Sequence, residues 1–272
     1  MSPLATWAGL VALAMAGLAS GPPVSANGGP PTTREWTALA RLPDWGGIWT
    51  PDLAYQVAQF DKAPPPWTPK AAARAARMAA EEKAGHPENI YLNCLPEGMP
   101  GFILISRNAM EFLFTPGRVT VLGEFDGNRL RRIYTDGRPH PADPDPTFHG
   151  HSIGHWEGQT LVVDTTGILP EAYLPYSQAV AVPNDGDMHV VEHVHLTGPD
   201  ELHDDLVIEA PHVLSAPWIT TRIFHRQRGP GLDIVEASCL QGDYAERLDP
   251  DGDAVFAPIA HAEGGAPIPG DR

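Results

Sequence analysis

Short runs with an apolar–polar period of two, separated by turn residues, dominate this chain from residue 110 onward. β-Branched and aromatic runs between Gly, Pro, Asp and Asn clusters are typical of antiparallel hairpins. The predicted strands cover residues 110–115, 118–125, 129–135, 152–156, 160–165, 188–196, 202–209, 218–226 and 232–239.

A meander of nine or ten strands leaves its edges exposed unless it closes or stacks. The tripeptide Gly47-Ile48-Trp49 resembles the opening G-x-W signature of lipocalin-like barrels, in which the Trp closes one end, although a core Trp on any first strand would look the same. We therefore predict a mainly β fold, an antiparallel meander closed into a lipocalin-like barrel. One N-terminal helix is predicted at 69–84, because Thr68-Pro69 supplies a cap and a first-turn proline.

The domain organisation follows from composition. Residues 1–26 have the apolar run and the small residues of a cleavable export signal, with an uncleaved membrane anchor as the alternative. A linker at 27–43, one β-barrel domain at 44–241 and a flexible tail at 242–272 follow. We expect a periplasmic or secreted protein with no stable membrane span after processing.

Charge and cysteine content narrow the partners and the compartment. A net charge of −16 argues against nucleic acid and against anionic membrane surfaces. In an oxidising compartment Cys94 and Cys239 can form one long-range disulfide, and two buried free thiols are the alternative. The sequence leaves the oligomeric state open.

Several long motifs resemble a large, mostly uncharacterised family of exported bacterial proteins. They include RRIYTDGRPHP, PTFHGHSIGHWEGQTLVVDT, MHVVEH and APWITTR, and the likeness spans about residues 44–240. The resemblance implies export and a single β domain. It carries no catalytic residue, cofactor or activity to this chain.

The segment 131–165 concentrates titratable groups between two predicted strands. Its prolines stiffen a loop that holds Asp136 and His140, while His151 begins the next strand. An imidazole beside a carboxylate is the usual general acid–base unit. We therefore predict that Asp136 orients or pairs with His140 or His151 at one mouth of the barrel.

Other side chains of this segment are predicted to contact a ligand, namely Arg138, His155 and Trp156. His155 shares a strand face with His151, and Trp156 lies on the opposite face. The alternative is a structural loop, in which Asp136 caps its own turn and Arg138 pairs with an acid.

A second constellation lies on the strand 188–196. Period two places Glu192 on an otherwise apolar face, where a buried carboxylate must pair or rise in pKa. Arg222 and Arg132 are its candidate partners and are also predicted to contact the ligand. Glu192 is then either half of a structural ion pair or an acid or base inside the cavity.

These residues favour an exported enzyme that uses His/Asp/Glu acid–base chemistry of the lyase, isomerase, cyclase or hydratase type. The predicted substrate is a small hydrophobic or aromatic molecule, and no cofactor is predicted. The alternative function is a periplasmic lipocalin-like carrier of a hydrophobic ligand without catalysis. A metal is a further alternative, because His193-x-His195 and His149-x-His151 could contribute to an open zinc site.

Overall fold

The computed structural model describes residues 29–86, 95–105, 107–124, 129–175 and 180–236, and the backbone of residues 244–248 and 254–258. Nine of its strands form one closed barrel, which confirms the mainly β fold and is consistent with a lipocalin-like barrel. In spatial order these are β1 (Ile48–Pro51), β11 (Trp218–Arg226), β10 (Glu201–Glu209), β9 (His189–Gly198), β6 (Thr160–Thr166), β5 (His151–Glu157), β4 (Leu130–Tyr134), β3 (Arg118–Gly123) and β2 (Met110–Thr115).

The barrel departs from the predicted antiparallel meander at one place. β4 and β5 pair in parallel, with Ile133 opposite Ser152 and Tyr134 opposite Ile153. Parallel neighbours run in the same direction, so the chain between them must return along the length of the strands. Residues 135–150, called the crossover below, make this return.

Two further pairs of short strands lie outside the barrel. β7 (Tyr173–Pro175) pairs with β8 (Ala181–Pro183), and neither was predicted. β12 (Tyr244–Leu248) pairs with β13 (Ala254–Pro258), so the predicted tail at 242–272 contains a hairpin. Residues 232–236 are not a strand, which corrects the last predicted strand over the part of it that the structure describes.

Four α-helices lie in the described residues, where one was predicted. They are α1 (Thr33–Ala38), α2 (Leu53–Lys62), α3 (Pro69–Lys83) and α4 (Gly98–Leu104). The predicted helix is α3, and the Thr68 hydroxyl caps it by accepting a hydrogen bond from the Ala71 N–H. In the predicted linker, α1 forms because Thr32 and Glu35 make a capping box.

Trp49 is fully buried where the first strand enters the barrel. Its indole N–H donates to the Trp45 carbonyl at 2.9 Å, and the Arg226 guanidinium lies 4.7 Å from the centre of a Trp49 ring. The G-x-W tryptophan is therefore fixed by a hydrogen bond and a cation–π contact as well as by packing.

The helix α4 fills part of the barrel. All seven of its residues are buried, and the Leu104 carbonyl accepts a hydrogen bond from Arg222 Nε at 3.1 Å. The Phe102 ring lies against Gly123, where any Cβ would come within 2.7 Å of the ring. Gly123 therefore has to lack a side chain for α4 to occupy this place.

A buried ion pair crosses the barrel interior. The Arg131 guanidinium makes a bidentate contact with Glu192, and its Nη1 donates to Oε1 at 2.7 Å. Arg131 also donates to the hydroxyls of Thr165, at 3.0 Å, and Ser152, at 3.2 Å. Because β4, β5, β6 and β9 each supply one partner, the network joins four neighbouring strands on their inner face.

Breaking this pair should destabilise the fold. We expect Glu192→Gln to lower the free energy of unfolding by about 3–5 kcal/mol, because it removes the carboxylate that both Nη atoms of the buried Arg131 contact. Urea unfolding of the purified protein measures this difference.

Two variants act as controls. Glu157→Gln removes an exposed carboxylate, so the free energy of unfolding should stay within about 0.5 kcal/mol of wild type. The double variant Arg131→Met/Glu192→Leu removes both charges and should recover much of the loss. A Glu192→Gln midpoint equal to that of wild type would contradict a structural role for the pair.

Candidate functional site

Strand alternation places a set of titratable side chains on the outer wall of the barrel. Ser152 on β5 and Thr165 on β6 are buried inside, so their neighbours His151 and Asp164 project outward. The two strands are antiparallel, with His151 opposite Thr166. The outer face of this hairpin therefore carries an imidazole, a carboxylate and a hydroxyl close together.

The crossover adds His140 to this face. His140 Nε2 lies 2.9 Å from Asp164 Oδ1, and His140 Nδ1 lies 2.9 Å from His151 Nδ1. The Thr166 hydroxyl is 3.2 Å from His140 Nδ1. His140 and His151, both predicted as catalytic residues, are thus in contact, and the carboxylate that reaches His140 is Asp164, not the predicted Asp136.

The Asp164 carboxylate fixes one proton of this chain. A carboxylate accepts only, so His140 must carry a proton on Nε2 to reach Asp164. The contact between the two Nδ1 atoms needs one proton, which either ring can donate. When His151 donates it, the Nε2 of neutral His151 keeps its lone pair, and this atom has no hydrogen-bond partner in the described part of the chain.

Electrostatics keep His151 neutral. Burial lowers its pKa below the ordinary 6.5, and the nearby His140 and Arg138 lower it further. The Tyr134 ring stacks on the His151 ring with centroids 5.4 Å apart, and the Arg138 guanidinium lies 4.0 Å from the centre of the Tyr134 ring. His151 therefore has the protonation state of a general base near neutral pH.

Asp136 does not take its predicted role. It pairs with Arg138 instead, whose Nε donates to both carboxylate oxygens at 2.9 Å. This hydrogen bonding holds the pKa of Asp136 below its ordinary value. The prediction that Asp136 orients His140 or His151 is wrong, because the neighbouring arginine satisfies the carboxylate, as in the structural alternative.

A further histidine completes the group on the outer wall. His189 Nε2 lies 3.0 Å from Asp164 Oδ2, and its Nδ1 lies 3.4 Å from Glu209 Oε2. Burial alone would lower the pKa of His189, but its hydrogen bonds and charge interactions with the two carboxylates raise it above 6.5. The five residues His140, His151, Asp164, His189 and Glu209 are called the outer-wall cluster below.

Glu192 lies on the opposite side of the same wall. It is fully buried inside the barrel and is paired with Arg131, not with the predicted Arg222 or Arg132. Arg132 is exposed, since it alternates with the inward-facing Arg131. The predicted set of four catalytic residues is therefore divided, with Glu192 inside the barrel and the other three outside.

Arg222 faces inward, as its predicted strand face requires, but its contacts are with backbone and hydroxyl groups. It donates to the Leu104 and Thr221 carbonyls and to the Thr220 hydroxyl. Burial lowers the pKa of Arg222 to about 10. On the adjacent strand β10, Asp204 lies opposite Arg222 and is also buried. The Oδ1 atom of Asp204 has no hydrogen-bond partner.

Burial raises the pKa of Asp204 well above its ordinary value, and the adjacent charge of Glu192 raises it further. Two carboxyl groups in one apolar space cannot both ionise easily, so Asp204 holds a proton while Glu192 keeps its charge beside Arg131. The cavity that these three side chains help to line has a volume of about 10 Å³. This is space for about one water molecule.

The remaining predicted contact residues are also separated by the wall. His155 is exposed and pairs with Glu157 at 3.0 Å. Trp156 packs inside, its ring 5.3 Å from that of Trp45, which also contacts Phe112. His149 is mostly buried, and burial lowers its pKa to about 4.

Some predictions stay untested. Within the described residues, no group of three or more His, Cys, Asp and Glu side chains has the arrangement of a metal site, and the metal alternative stays a prediction. Cys94 and Cys239, the predicted signal at 1–26 and the end of the tail lie outside the described residues. No helix in the described part is both long and apolar enough to span a membrane.

The sequence contains a signal for Asp164, which is absent from the predicted catalytic residues. The two-residue turn at 158–159 fixes a hairpin register in which Asp164 shares the outward face with His151. His189 shares the outward face of β9 with His193, and its partner Asp164 lies 25 residues earlier in the chain. No sequence signal pairs Arg131 with Glu192, because 61 residues separate them.

Comparison with known proteins assigns neither a family nor a function to the chain. No protein-family model matches the sequence, and no curated protein is significantly similar to it.

The buried Asp204 predicts a pH-dependent stability. A folded-state pKa above the unfolded value of about 3.9 stabilises the fold at low pH, and this contribution is lost as the pH rises through the folded-state pKa. Asp204→Asn cannot ionise. Its free energy of unfolding should therefore exceed that of wild type by a margin that widens above about pH 4, by at most about 1.4 kcal/mol per pH unit.

Urea unfolding at a series of pH values measures this margin. The matched control is Asp205→Asn, which removes the exposed carboxylate next along β10 and should give no widening margin. A constant difference between Asp204→Asn and wild type across the series would show that Asp204 is ionised throughout.

Proposed function

We propose that this protein is an enzyme that catalyses proton transfer at the outer-wall cluster, with His151 as the general base. The observation that carries the proposal is the hydrogen-bonded chain Asp164–His140–His151, in which both contacts are 2.9 Å. Acid–base chemistry of the lyase, isomerase, cyclase or hydratase type needs these groups and a bound substrate.

The chain of contacts orients the His151 ring, which is neutral and can accept a proton at Nε2. When Nε2 takes a proton, the positive charge on His151 is shared with His140 through Nδ1–H, and Asp164 stabilises it from the far side of His140. A carboxylate that orients an imidazole and stabilises its cation is a recurring arrangement in hydrolases. Here a second imidazole lies between the carboxylate and the base.

The surroundings of His151 favour an aromatic or hydrophobic substrate. The Tyr134 ring is stacked between His151 and the Arg138 guanidinium, and its partly exposed edge adds an apolar surface near the reactive nitrogen. Arg138 can contact a substrate oxygen, although Asp136 holds most of its donors. A planar molecule that packs against this edge would bring its acidic C–H bond to His151 Nε2.

The alternative function, a carrier with its ligand inside the barrel, receives less support. Ligand cavities for drug-sized molecules measure roughly 300–1,000 Å³. The interior cavity that Arg131, Glu192 and Asp204 help to line is about 10 Å³. The outer-wall cluster faces away from this cavity, so its substrate is proposed to approach from the outside of the barrel.

A generic probe of basicity tests the proposal without knowledge of the natural substrate. Nitrobenzisoxazole opens to a coloured phenolate when a base removes the proton on the carbon of its isoxazole ring, because the electron pair forms a nitrile and the ring N–O bond breaks. We expect the protein to accelerate this reaction and His151→Asn to lower the rate about 10²-fold or more. Because the pKa of His151 is lowered, the wild-type rate should persist below pH 6.5 and fall as the pH drops through that pKa.

The matched control is His155→Asn, which removes an outward imidazole from the same strand but leaves the chain intact. Its rate should equal that of wild type. Equal rates for His151→Asn and His155→Asn, or no acceleration by the wild-type protein, would refute His151 as an accessible base. Unchanged urea midpoints exclude unfolding as the cause of a loss.

A further inference from the structure

The outer-wall cluster forms one line of contacts across the barrel wall, with Asp164 in its middle. Asp164 Oδ1 lies 2.9 Å from His140 Nε2, and Asp164 Oδ2 lies 3.0 Å from His189 Nε2. The line continues from His140 to the base His151 in one direction and from His189 to Glu209 in the other. His151 and Glu209 are therefore the two ends, and His189 acts on His151 only through the residues between them.

We propose that His189 is a positioning residue for the base His151, because it fixes the carboxylate of Asp164 and thereby the ring of His140. The inference rests on the proposed function of His151 and adds a residue that contacts neither the substrate nor His151. In this role His189 donates a hydrogen bond to Asp164 and transfers no proton to a substrate.

The strand register brings His189 to Asp164. Asp164 on β6 lies opposite Val191 on β9, so His189, two residues away on the same outward face, is its diagonal neighbour. Diagonal neighbours in an antiparallel pair lie about 7–8 Å apart, which an aspartate and a histidine side chain span with one hydrogen bond. The contact is therefore built into the pairing of two strands.

Asp164 needs a second donor to keep its orientation. Its side chain is 41% exposed, so water competes for both of its oxygens. A hydrogen bond to Oδ1 alone leaves the carboxylate free to turn about that contact, whereas donors at both oxygens from two different elements fix its plane. His189 on β9 supplies the second donor, and Oδ1 consequently stays directed at His140 from the crossover.

His189 is itself held as a donor. Both of its ring nitrogens face carboxylates, Asp164 on β6 and Glu209 on β10, and carboxylates accept only. Burial lowers the pKa of His189, but the hydrogen bonds and charges of these two carboxylates outweigh it and raise the pKa above 6.5. The Nε2–H that Asp164 requires is therefore present over the pH range in which His151 is neutral.

The charge of His189 gives the role a second signature. His189 and His151 lie on strands that flank β6, about 10 Å apart, so the His189 cation makes protonation of His151 slightly harder. Its effect has the same direction as burial and the charges of His140 and Arg138, which lower the pKa of His151. The remaining titratable group that faces His151 is Tyr134 on β4.

Two substitutions separate the hydrogen bond from the charge. His189→Leu removes both, and we expect kcat for nitrobenzisoxazole to fall about tenfold with KM unchanged, because a base that is held less firmly is less often in the productive orientation. His189→Gln removes the charge but keeps an N–H that reaches Asp164, so it should recover most of this loss.

Two further readouts do not depend on the size of the rate. In His189→Gln the acidic limb of the pH profile should move to higher pH, by about 0.3 pH unit at low salt, because the cation is gone. In protein labelled with ¹⁵N-histidine, the Nε2–H proton of His140 should give a resolved NMR signal in wild type and in His189→Gln. It should exchange with water and disappear in His189→Leu.

The matched control is His193→Leu, which removes an exposed imidazole from the outward face of the same strand. Its kcat, its pH profile and the His140 signal should equal those of wild type. Urea midpoints show whether each variant is folded. His189→Thr suits a strand but is too short to reach Asp164, and it replaces His189→Leu if leucine lowers the midpoint.

The outcomes distinguish this inference from the proposed function. An unchanged kcat and His140 signal in His189→Leu, beside a loss in His151→Asn, would overturn the positioning role and leave His151 as the base. A loss in His189→Gln as large as in His189→Leu would overturn positioning through the donated hydrogen bond. Equal rates for His151→Asn and wild type would overturn the proposed function itself.

Discussion

The parallel pairing of β4 with β5 is the constraint on which the outer-wall cluster depends. Two parallel neighbours in a barrel require a connection that runs back along the strands, and the crossover provides it. This path lays His140 over the outward faces of β5 and β6, between His151 and Asp164. A hairpin in the same place would have left these two side chains without the imidazole that joins them.

The barrel wall separates two polar networks that use adjacent residues of the same strands. Ser152 and Thr165 face inward and bind Arg131, whereas their neighbours His151 and Asp164 face outward. The inner network ties together the strands that present the outer one. The Nη atoms of Arg131 are paired with Glu192, and burial raises the pKa of the adjacent Asp204, so this part of the interior contributes to stability.

The outer-wall cluster assigns proton positions through the acceptors that surround it. Carboxylates at both nitrogens of His189 require a cation, and a second imidazole at His151 permits a neutral ring. The proposed role of His151 therefore follows from which group each histidine faces, more than from how many histidines the chain contains.

The sequence by itself predicted most of the barrel strands, the closure of the barrel, the helix α3 and the faces on which His151 and Glu192 lie, because alternation and turn chemistry are local. It did not determine the partners. Asp136 stands nearest to His140 in sequence, yet Arg138 takes it, and Asp164 reaches His140 instead. Only the tertiary structure decided these pairings, because strand order and the path of the crossover are set by barrel closure, which brings together residues far apart in the chain.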